Sequence, residues 1–266
     1  MARRTHSRAA SHQRSWLWGR HAVLETLQSA RWPVLELLLS EHADPQVQQI
    51  VRTYSLDFGV RLSEVTSDRI QQLTRSGDHQ GVAACMGEFP CGDEQQLEDW
   101  IQQNCINTGS DRFPLLVICD RIQDAHNFGA ILRCCNAVKA DAIIVADREQ
   151  ANVTPHVARS SAGAVNYSTL FRVPDLSAAA SVLRNAGITV AAASEKAEDS
   201  CWQTSLNRPV ALVIGSEATG VHPKLLEQCE LQLRIPMMGE IQSLNAAVAG
   251  GILLYEIRRQ QSHGSK

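Results

Sequence analysis

The chain has 266 residues, enough for one large domain or two modest ones and well above the size at which a core needs disulfide or metal staples. Its 44% hydrophobic and 20% charged residues belong to a chain that folds rather than one that stays disordered. A formal net charge of −3 excludes nucleic-acid binding by bulk charge, although 21 of the 25 basic residues are arginine, whose planar fork suits phosphate and carboxylate.

The first 18 residues carry Arg3, Arg4, Arg8 and Arg14 with no acid, and read either as a frayed terminus or as a flexible basic arm that touches polyphosphate. The residues after Met1 lack the apolar core of a secretory signal, so a cytoplasmic protein is expected. From Gly19 an α/β pattern begins. Ala22, Val23, Leu24 and Leu27 fit a short helix, and the apolar run Val34 to Leu39, bounded by Pro33 and a polar stretch, fits a strand. A helix over Pro45 to Phe58 opens on a proline, where proline is tolerated. A strand near Gly59 to Leu62, a helix near Asp68 to Thr74 and a strand near Gly81 to Met86 complete a small α/β domain over residues 19–87.

Residues 88–113 change character, with Gly87, Pro90 and Gly92 followed by acids and glutamines, and read as a linker holding one helix around Leu97 to Cys105. A second domain is expected over 114–261, with a short tail at 262–266. Its strands are predicted at Leu115 to Cys119, Ala142 to Ala146, Ile188 to Ala192, Val210 to Ile214 and near Leu231 to Ile235. Its helices are predicted at Phe128 to Val138, Pro155 to Ser161, Leu176 to Ala186, Pro223 to Gln228 and Leu244 to Arg259. Apolar strands alternating with helices imply a mostly parallel sheet with helices on both faces, whose ligands gather at the carboxyl ends of the strands.

The eight cysteines (Cys85, Cys91, Cys105, Cys119, Cys134, Cys135, Cys201 and Cys229) include no CxxC pair. They read as reduced thiols used as small core residues, and neither a metal site nor a disulfide framework is expected. No apolar run reaches the ~18 residues of a membrane span, so no membrane partner is expected.

Three segments of the second domain carry chemistry. Asp120 to Arg133 leaves an apolar strand and enters a helix; Asn127 occupies a plausible N-cap, and Arg133 projects from the face opposite the stripe of Phe128, Ile131, Leu132, Cys135 and Val138. A polar loop at a strand end followed by an outward arginine suits an anionic substrate. In Val210 to Gly220, Gly215 and Gly220 have the spacing that opens a Walker A loop, but Val221 and His222 replace the required Lys and Ser/Thr. The dinucleotide fingerprint fails as well, because Glu217 stands where its second glycine belongs. That carboxylate would repel a pyrophosphate and suits a neutral or cationic ligand, which disfavours a nicotinamide dehydrogenase. The third segment, Leu233 to Asn245, runs into Ala246-Ala247-Val248-Ala249-Gly250-Gly251; Ser243 or Asn245 could cap the last helix. Each helical glycine costs about 0.8–1 kcal/mol relative to alanine, so Gly250 and Gly251 imply very close packing against another backbone.

In this order the three segments resemble the signature motifs of the SpoU–TrmH family of RNA 2′-O-methyltransferases: the N-x5-R of Asn127 and Arg133, the G-S-E-x-x-G of Gly215 to Gly220, and the I-P-M…S-L-N of Ile235 to Asn245. The resemblance covers roughly Leu115 to Arg259. Gly19-Arg20-His21-Ala22-Val23 and His79-Gln80-Gly81-Val82 look like the small RNA-recognition domain that precedes the catalytic domain in the subgroup modifying a guanosine of large-subunit ribosomal RNA. The resemblance implies a deep trefoil knot, a homodimer, RNA as substrate and S-adenosylmethionine as cofactor. By position it implies Gly215, Gly220, Ile235 and Leu244 as cofactor-binding residues, and Asn127, Arg133, Glu217, Ser243 and Asn245 as catalytic ones. Gln242 departs from a frequent small serine, and Ala218-Thr219 is a pattern shared with tRNA-modifying relatives. A tRNA ribose methyltransferase and a catalytically silent RNA-binding relative are therefore the alternatives to ribosomal RNA methylation. With an acidic chain, RNA affinity is expected from local arginines such as Arg20, Arg121, Arg133 and Arg159, and should weaken steeply with salt.

Overall fold

The computed structural model describes residues 15–106, 112–241 and 243–263, which divide into two compact units. The basic arm expected at the N-terminus lies almost entirely outside the described residues. Its last part does not: Trp16–Trp18 form a strand (β1) whose buried Trp16 and Leu17 pack into a core. Three apolar side chains at a domain edge are too costly to leave in water, which corrects the expectation of an arm running to residue 18.

The first unit comprises residues 15–90 and Asn152–Tyr167. β1 is followed by α1 (Arg20–Ser29), β2 (Val34–Ser40), α2 (Pro45–Phe58), β3 (Arg61–Val65), α3 (Ser67–Thr74) and β4 (Val82–Met86). The sheet order is β1-β4-β2-β3, with β4 antiparallel to both β1 and β2, and β2 parallel to β3. The α2 boundaries follow from local chemistry. Asp44 accepts from the Gln46 N–H at 2.8 Å, Pro45 opens the first turn, and Gly59 closes the helix in the left-handed region at φ 64°.

The helix expected at Pro155 is present as α6 (Pro155–Ser160), followed by a 3-10 turn at Ala164–Tyr167, but it belongs to this first unit rather than to the second. Specific contacts hold it there. The Arg159 guanidinium lies 4.3 Å from the centroid of the Trp18 ring, Asn166 Nδ2 donates to Thr26 Oγ1 at 3.0 Å, and the Tyr167 hydroxyl donates to Glu25 Oε2 at 2.6 Å. Asn166 and Thr26 are both buried, so each satisfies part of the other's hydrogen-bonding demand.

The second unit comprises residues 91–151 and 168–263. It holds α4 (Glu94–Asn104), β5 (Leu115–Cys119), α5 (Ala125–Ala137), β6 (Ala142–Ala146), β7 (Leu170–Val173), α7 (Leu176–Asn185), β8 (Thr189–Ala193), β9 (Val210–Ile214), α8 (Pro223–Leu226), β10 (Leu231–Leu233) and α9 (Ala246–His263). Its six strands run in the order β10-β8-β9-β5-β6-β7 and every pairing is parallel, as the alternation of apolar strands and helices implies. Strand β7 is a strand the periodicity does not reveal. The linker expected at 88–113 is in part core: α4 starts with a capping box between Asp93 and Gln96, and its Leu97 and Ile101 are buried with Phe171 of β7 and Leu176, Ala180 and Leu183 of α7.

Helix α9 packs along α5 and against β9. A Cβ on Gly250 would lie 2.6 Å from Ile214 Cδ1, and one on Gly251 would lie 3.2 Å from Cys134 Sγ. The close approach expected from these glycines is thus to side chains of β9 and α5, not to another backbone. At the far end, Arg258 donates from Nε to the Val138 carbonyl at 2.9 Å and from Nη2 to the Lys139 carbonyl at 2.9 Å, satisfying carbonyls just beyond the C-terminus of α5.

All eight cysteines are free thiols. Burial pushes the Cys105 thiol up to about 11 and those of Cys119 and Cys229 up to about 12, with Asp120 adding to the rise at Cys119. A raised folded-state value favours the neutral thiol, so this contribution to stability is complete below the ordinary value of 9.0 and is lost as pH rises through about 11 to 12. The melting temperature is therefore expected to fall progressively above pH 9 in a scan from pH 8 to 11; a flat profile over that range would contradict it. Among the described residues no helix is long and apolar enough to cross a membrane, and no group of three or more His, Cys, Asp or Glu side chains is arranged to hold a metal ion.

Candidate active site

Strands β5 and β9 are neighbours, with Cys119 beside Ile214 at their carboxyl ends, and β8 and β10 continue the sheet with Ala192 beside Val213 and Leu233 beside Ala193. The chain leaves β5 for β6 on one side and β9 for β10 on the other. The β5–β9 boundary is therefore the switch point of the sheet, where ligands bind in open parallel folds. The three segments singled out by sequence all emerge along this edge.

The first enters α5, but not as expected. The helix begins at Ala125, and Asp124 is its N-cap, with Oδ1 accepting from the Asn127 N–H at 2.8 Å. Asn127 lies inside the first turn, which frees its side chain to accept from Asn245 Nδ2 at 2.9 Å. Arg133, two turns on, is exposed; among the described residues its guanidinium makes no hydrogen bond or ion pair.

The second forms a loop folded tightly on itself. Gly220 donates from its N–H to the Ser216 carbonyl at 2.8 Å and has φ 67°. A Cβ on Gly215 would lie 2.3 Å from the Gly220 carbonyl carbon and 2.4 Å from the Val221 nitrogen. Those are backbone atoms that cannot rotate aside. Gly215→Ala is expected to lower stability by about 1–3 kcal/mol, the usual cost of overpacking, read as a shift in urea midpoint.

The third reaches α9 through Asn245, which joins all three. Its Oδ1 accepts from the Ala247 N–H at 2.9 Å and caps the helix. Its Nδ2 donates to Asn127 and also to Glu217 Oε1, which in turn accepts from the Ala246 N–H at 3.4 Å. Ser243 and Leu244 are exposed and Ile235 is half-buried on the same edge; no side-chain hydrogen bond ties Ser243 to the Asn245 cluster. Gln242 lies outside the described residues.

One residue here, Asp120, is not singled out by the sequence. Asp120 is only 4% exposed; it accepts from the His222 N–H at 2.6 Å and pairs with Arg121, whose Nη2 is 3.0 Å away. Arg121, expected among the RNA-contacting arginines, turns onto the Gly215–Gly220 loop. Arg20 is also engaged, with Gln46 Oε1 at 2.8 Å, and Arg159 lies over Trp18, so of the four arginines Arg133 alone projects unpaired among the described residues.

Chemically, the edge offers glycine backbone at the end of β9, half-buried and exposed apolar side chains at Ile235 and Leu244, and the exposed carboxylate of Glu217, while the buried Asp120 carboxylate is paired with Arg121. An adenosine bearing a positive sulfonium fits that set: flat apolar area meets the ring, backbone groups meet its polar edge, and no basic cluster opposes the charge. Residues 114–255 match the SpoU rRNA methylase family, and residues 16–88 match the substrate-binding domain of RNA 2′-O ribose methyltransferases. The chain belongs to the SpoU rRNA methylase family, which makes it an RNA ribose methyltransferase with S-adenosylmethionine as methyl donor.

It is 31% identical over 253 residues to YacO of Bacillus subtilis, assigned to the TrmH family of tRNA/rRNA methyltransferases, covering 95% of this chain and 98% of that one. It is also 31% identical to the 23S rRNA (guanosine-2′-O-)-methyltransferase RlmB of Coxiella burnetii, covering 92% and 95%. The S-adenosylmethionine-bound rRNA methyltransferase of Sinorhizobium meliloti superposes with a TM-score of 0.77 at 26% identity, covering 92% of this chain and 86% of that one.

Proposed function

We propose that the protein methylates the ribose 2′-hydroxyl of a guanosine in large-subunit ribosomal RNA, in the cytoplasm and as a homodimer. The observation that carries the catalytic reading is Asn245, whose amide links Asn127 and Glu217 and whose oxygen caps α9, so that residues from three distant segments share one edge of the sheet. The ribosomal target is supported by the two-domain layout and by the likeness to a 23S rRNA guanosine methyltransferase. The dimer is supported by Val248, Ile252 and Tyr255, an exposed apolar strip at helical spacing on α9, with Met238 and Ile241 exposed on the preceding segment. The threaded C-terminal knot implied by the family resemblance belongs to the same proposal.

In this reading Gly215, Gly220, Ile235 and Leu244 hold S-adenosylmethionine, which supplies a methyl group on a positively charged sulfur. Arg133 holds an RNA phosphate with its fork, and its charge lowers the effective pKa of the adjacent hydroxyl. A guanidinium is a permanent cation in proteins, so Arg133 orients and polarises, and the proton leaves to water or a neighbouring acceptor. Glu217 and Asn127 keep Asn245 in one orientation, and Ser243 presents a hydroxyl toward the ribose. Alignment of hydroxyl oxygen and methyl carbon in a dry site supplies the acceleration.

The test is a map of ribose methylation in a deletion strain against its parent. Loss of one 2′-O-methylguanosine in large-subunit ribosomal RNA is expected. A methyl lost from tRNA instead would overturn the target, and an unchanged map together with purified protein that takes up no S-adenosylmethionine would overturn the activity.

A further inference from the structure

The loop from Gly215 to Gly220 is held on one flank at Glu217, which accepts from Asn245 Nδ2 and the Ala246 N–H, and on the other by the first motif. Ser216 is half-buried, Glu217, Ala218 and Thr219 are exposed, and Gly220 adopts a left-handed backbone. Such a segment would sample many conformations unless something outside it restricted them. At its C-terminal half, Thr219 and Gly220, the restriction comes from the first motif. Arg121 Nη1 donates to Thr219 Oγ1 at 3.1 Å, and Nη2 donates to the Gly220 carbonyl at 2.9 Å, across 98 and 99 positions of sequence. Behind the loop, Nε donates to Asp120 Oδ1 at 3.1 Å and Nη2 to Asp120 Oδ2 at 3.0 Å, a two-point pairing with a carboxylate that is itself buried. Asp120 Oδ2 also accepts from the His222 N–H, fixing the chain just beyond the loop.

Three features mark this as built rather than incidental. The Arg121 side chain is only 21% exposed although it stands in a polar loop. Its backbone lies at φ 58°, a region non-glycine residues enter at a cost. Hydrogen bonding to Asp120 raises its pKa above the ordinary arginine value, so it stays charged while paired.

We infer that Asp120 and Arg121 form a strap that holds the Gly215–Gly220 loop in its cofactor-receiving shape, making Arg121 a positioning residue for S-adenosylmethionine rather than a contact for RNA. This rests on the assignment of that loop to the cofactor. Preorganisation of this kind appears in affinity: the free loop pays its ordering cost in advance, and binding is tighter by that amount. Glu217, on the same loop, is held separately by Asn245 and the Ala246 N–H, so with cofactor bound the catalytic groups keep their arrangement.

The experiment uses the full-length protein, titrated calorimetrically with S-adenosylmethionine and assayed for methyl transfer to ribosomal RNA. Arg121→Lys keeps a positive charge against buried Asp120, and with it the fold, but a single ammonium cannot also span Thr219 and the Gly220 carbonyl. The Kd and KM for S-adenosylmethionine are expected to rise about tenfold, the size expected for charged hydrogen bonds, with kcat at saturating cofactor and KM for RNA unchanged. Thr219→Val removes one exposed acceptor, and its effect on Kd is expected to be smaller and less than additive with that of Arg121→Lys, because both act on one contact. An unchanged cofactor Kd in Arg121→Lys would overturn the strap. A rise in KM for RNA with a shallower salt dependence and an unchanged cofactor Kd would overturn it in favour of a phosphate contact. Wild-type protein that takes up no S-adenosylmethionine would instead overturn the cofactor assignment beneath it.

Discussion

Replacing Arg133 by lysine is expected to lower kcat about 10²- to 10³-fold while leaving the Kd for S-adenosylmethionine within about twofold. The side chain stands exposed on α5 and makes no hydrogen bond or ion pair among the described residues, so its replacement disturbs neither the core nor the Asn245 cluster, and stability should stay within about 0.5 kcal/mol of wild type. What lysine cannot reproduce is the planar two-point grip on a phosphate. Charge is kept and geometry is lost, so the deficit belongs to alignment and to the field at the hydroxyl. Single-turnover transfer to RNA and calorimetry on the same preparation measure both quantities. Near wild-type turnover would remove the bidentate role from Arg133.

Asn245→Asp is expected to be nearly as damaging, and pH-dependent. Aspartate caps helices as well as asparagine does, so the start of α9 survives. The amide that donates to Asn127 and Glu217 is replaced by an oxygen that can only accept when ionised. Two carboxylates then face each other, and one of them takes up a proton well above the usual carboxylate range. Its raised value means that stability is retained at low pH and lost as pH rises through that value. The variant should lose about 10²-fold in kcat at pH 8 and recover part of it as pH falls toward 6, because a shared proton restores one hydrogen bond. A pH–rate profile parallel to wild type, at any level, would refute the bridging role.

The contrast between the two residues explains how far sequence carries. Arg133 was legible because helical spacing alone decides its face: Phe128, Ile131, Leu132 and Cys135 are buried, and the arginine is the side chain left outside. Asn245 was legible as a cap for the same local reason. Its bridge to Asn127 and Glu217 was not, since those partners lie 118 and 28 residues away. Asn127 itself was misread as a cap because Asp124, three residues earlier, satisfies the same local pattern, and only the hydrogen bond distinguishes them. Strand β7 escaped because four residues carry too little periodicity, and its partner β6 and the covering Leu97 and Ile101 of α4 are what make it a strand.

The sequence by itself determined the apolar strands, the helix faces, the glycines that admit no Cβ, and through the three motifs the family and its chemistry. Tertiary structure alone decided that Asn152–Tyr167 joins the first unit, that Arg121 donates to Thr219 and the Gly220 carbonyl, and that the Glu217 carboxylate faces an asparagine amide. Local patterns encode which face of an element must be buried. Which elements bury it, and hence which distant side chains meet at the strand ends, depends on strand order, a property of the whole sheet.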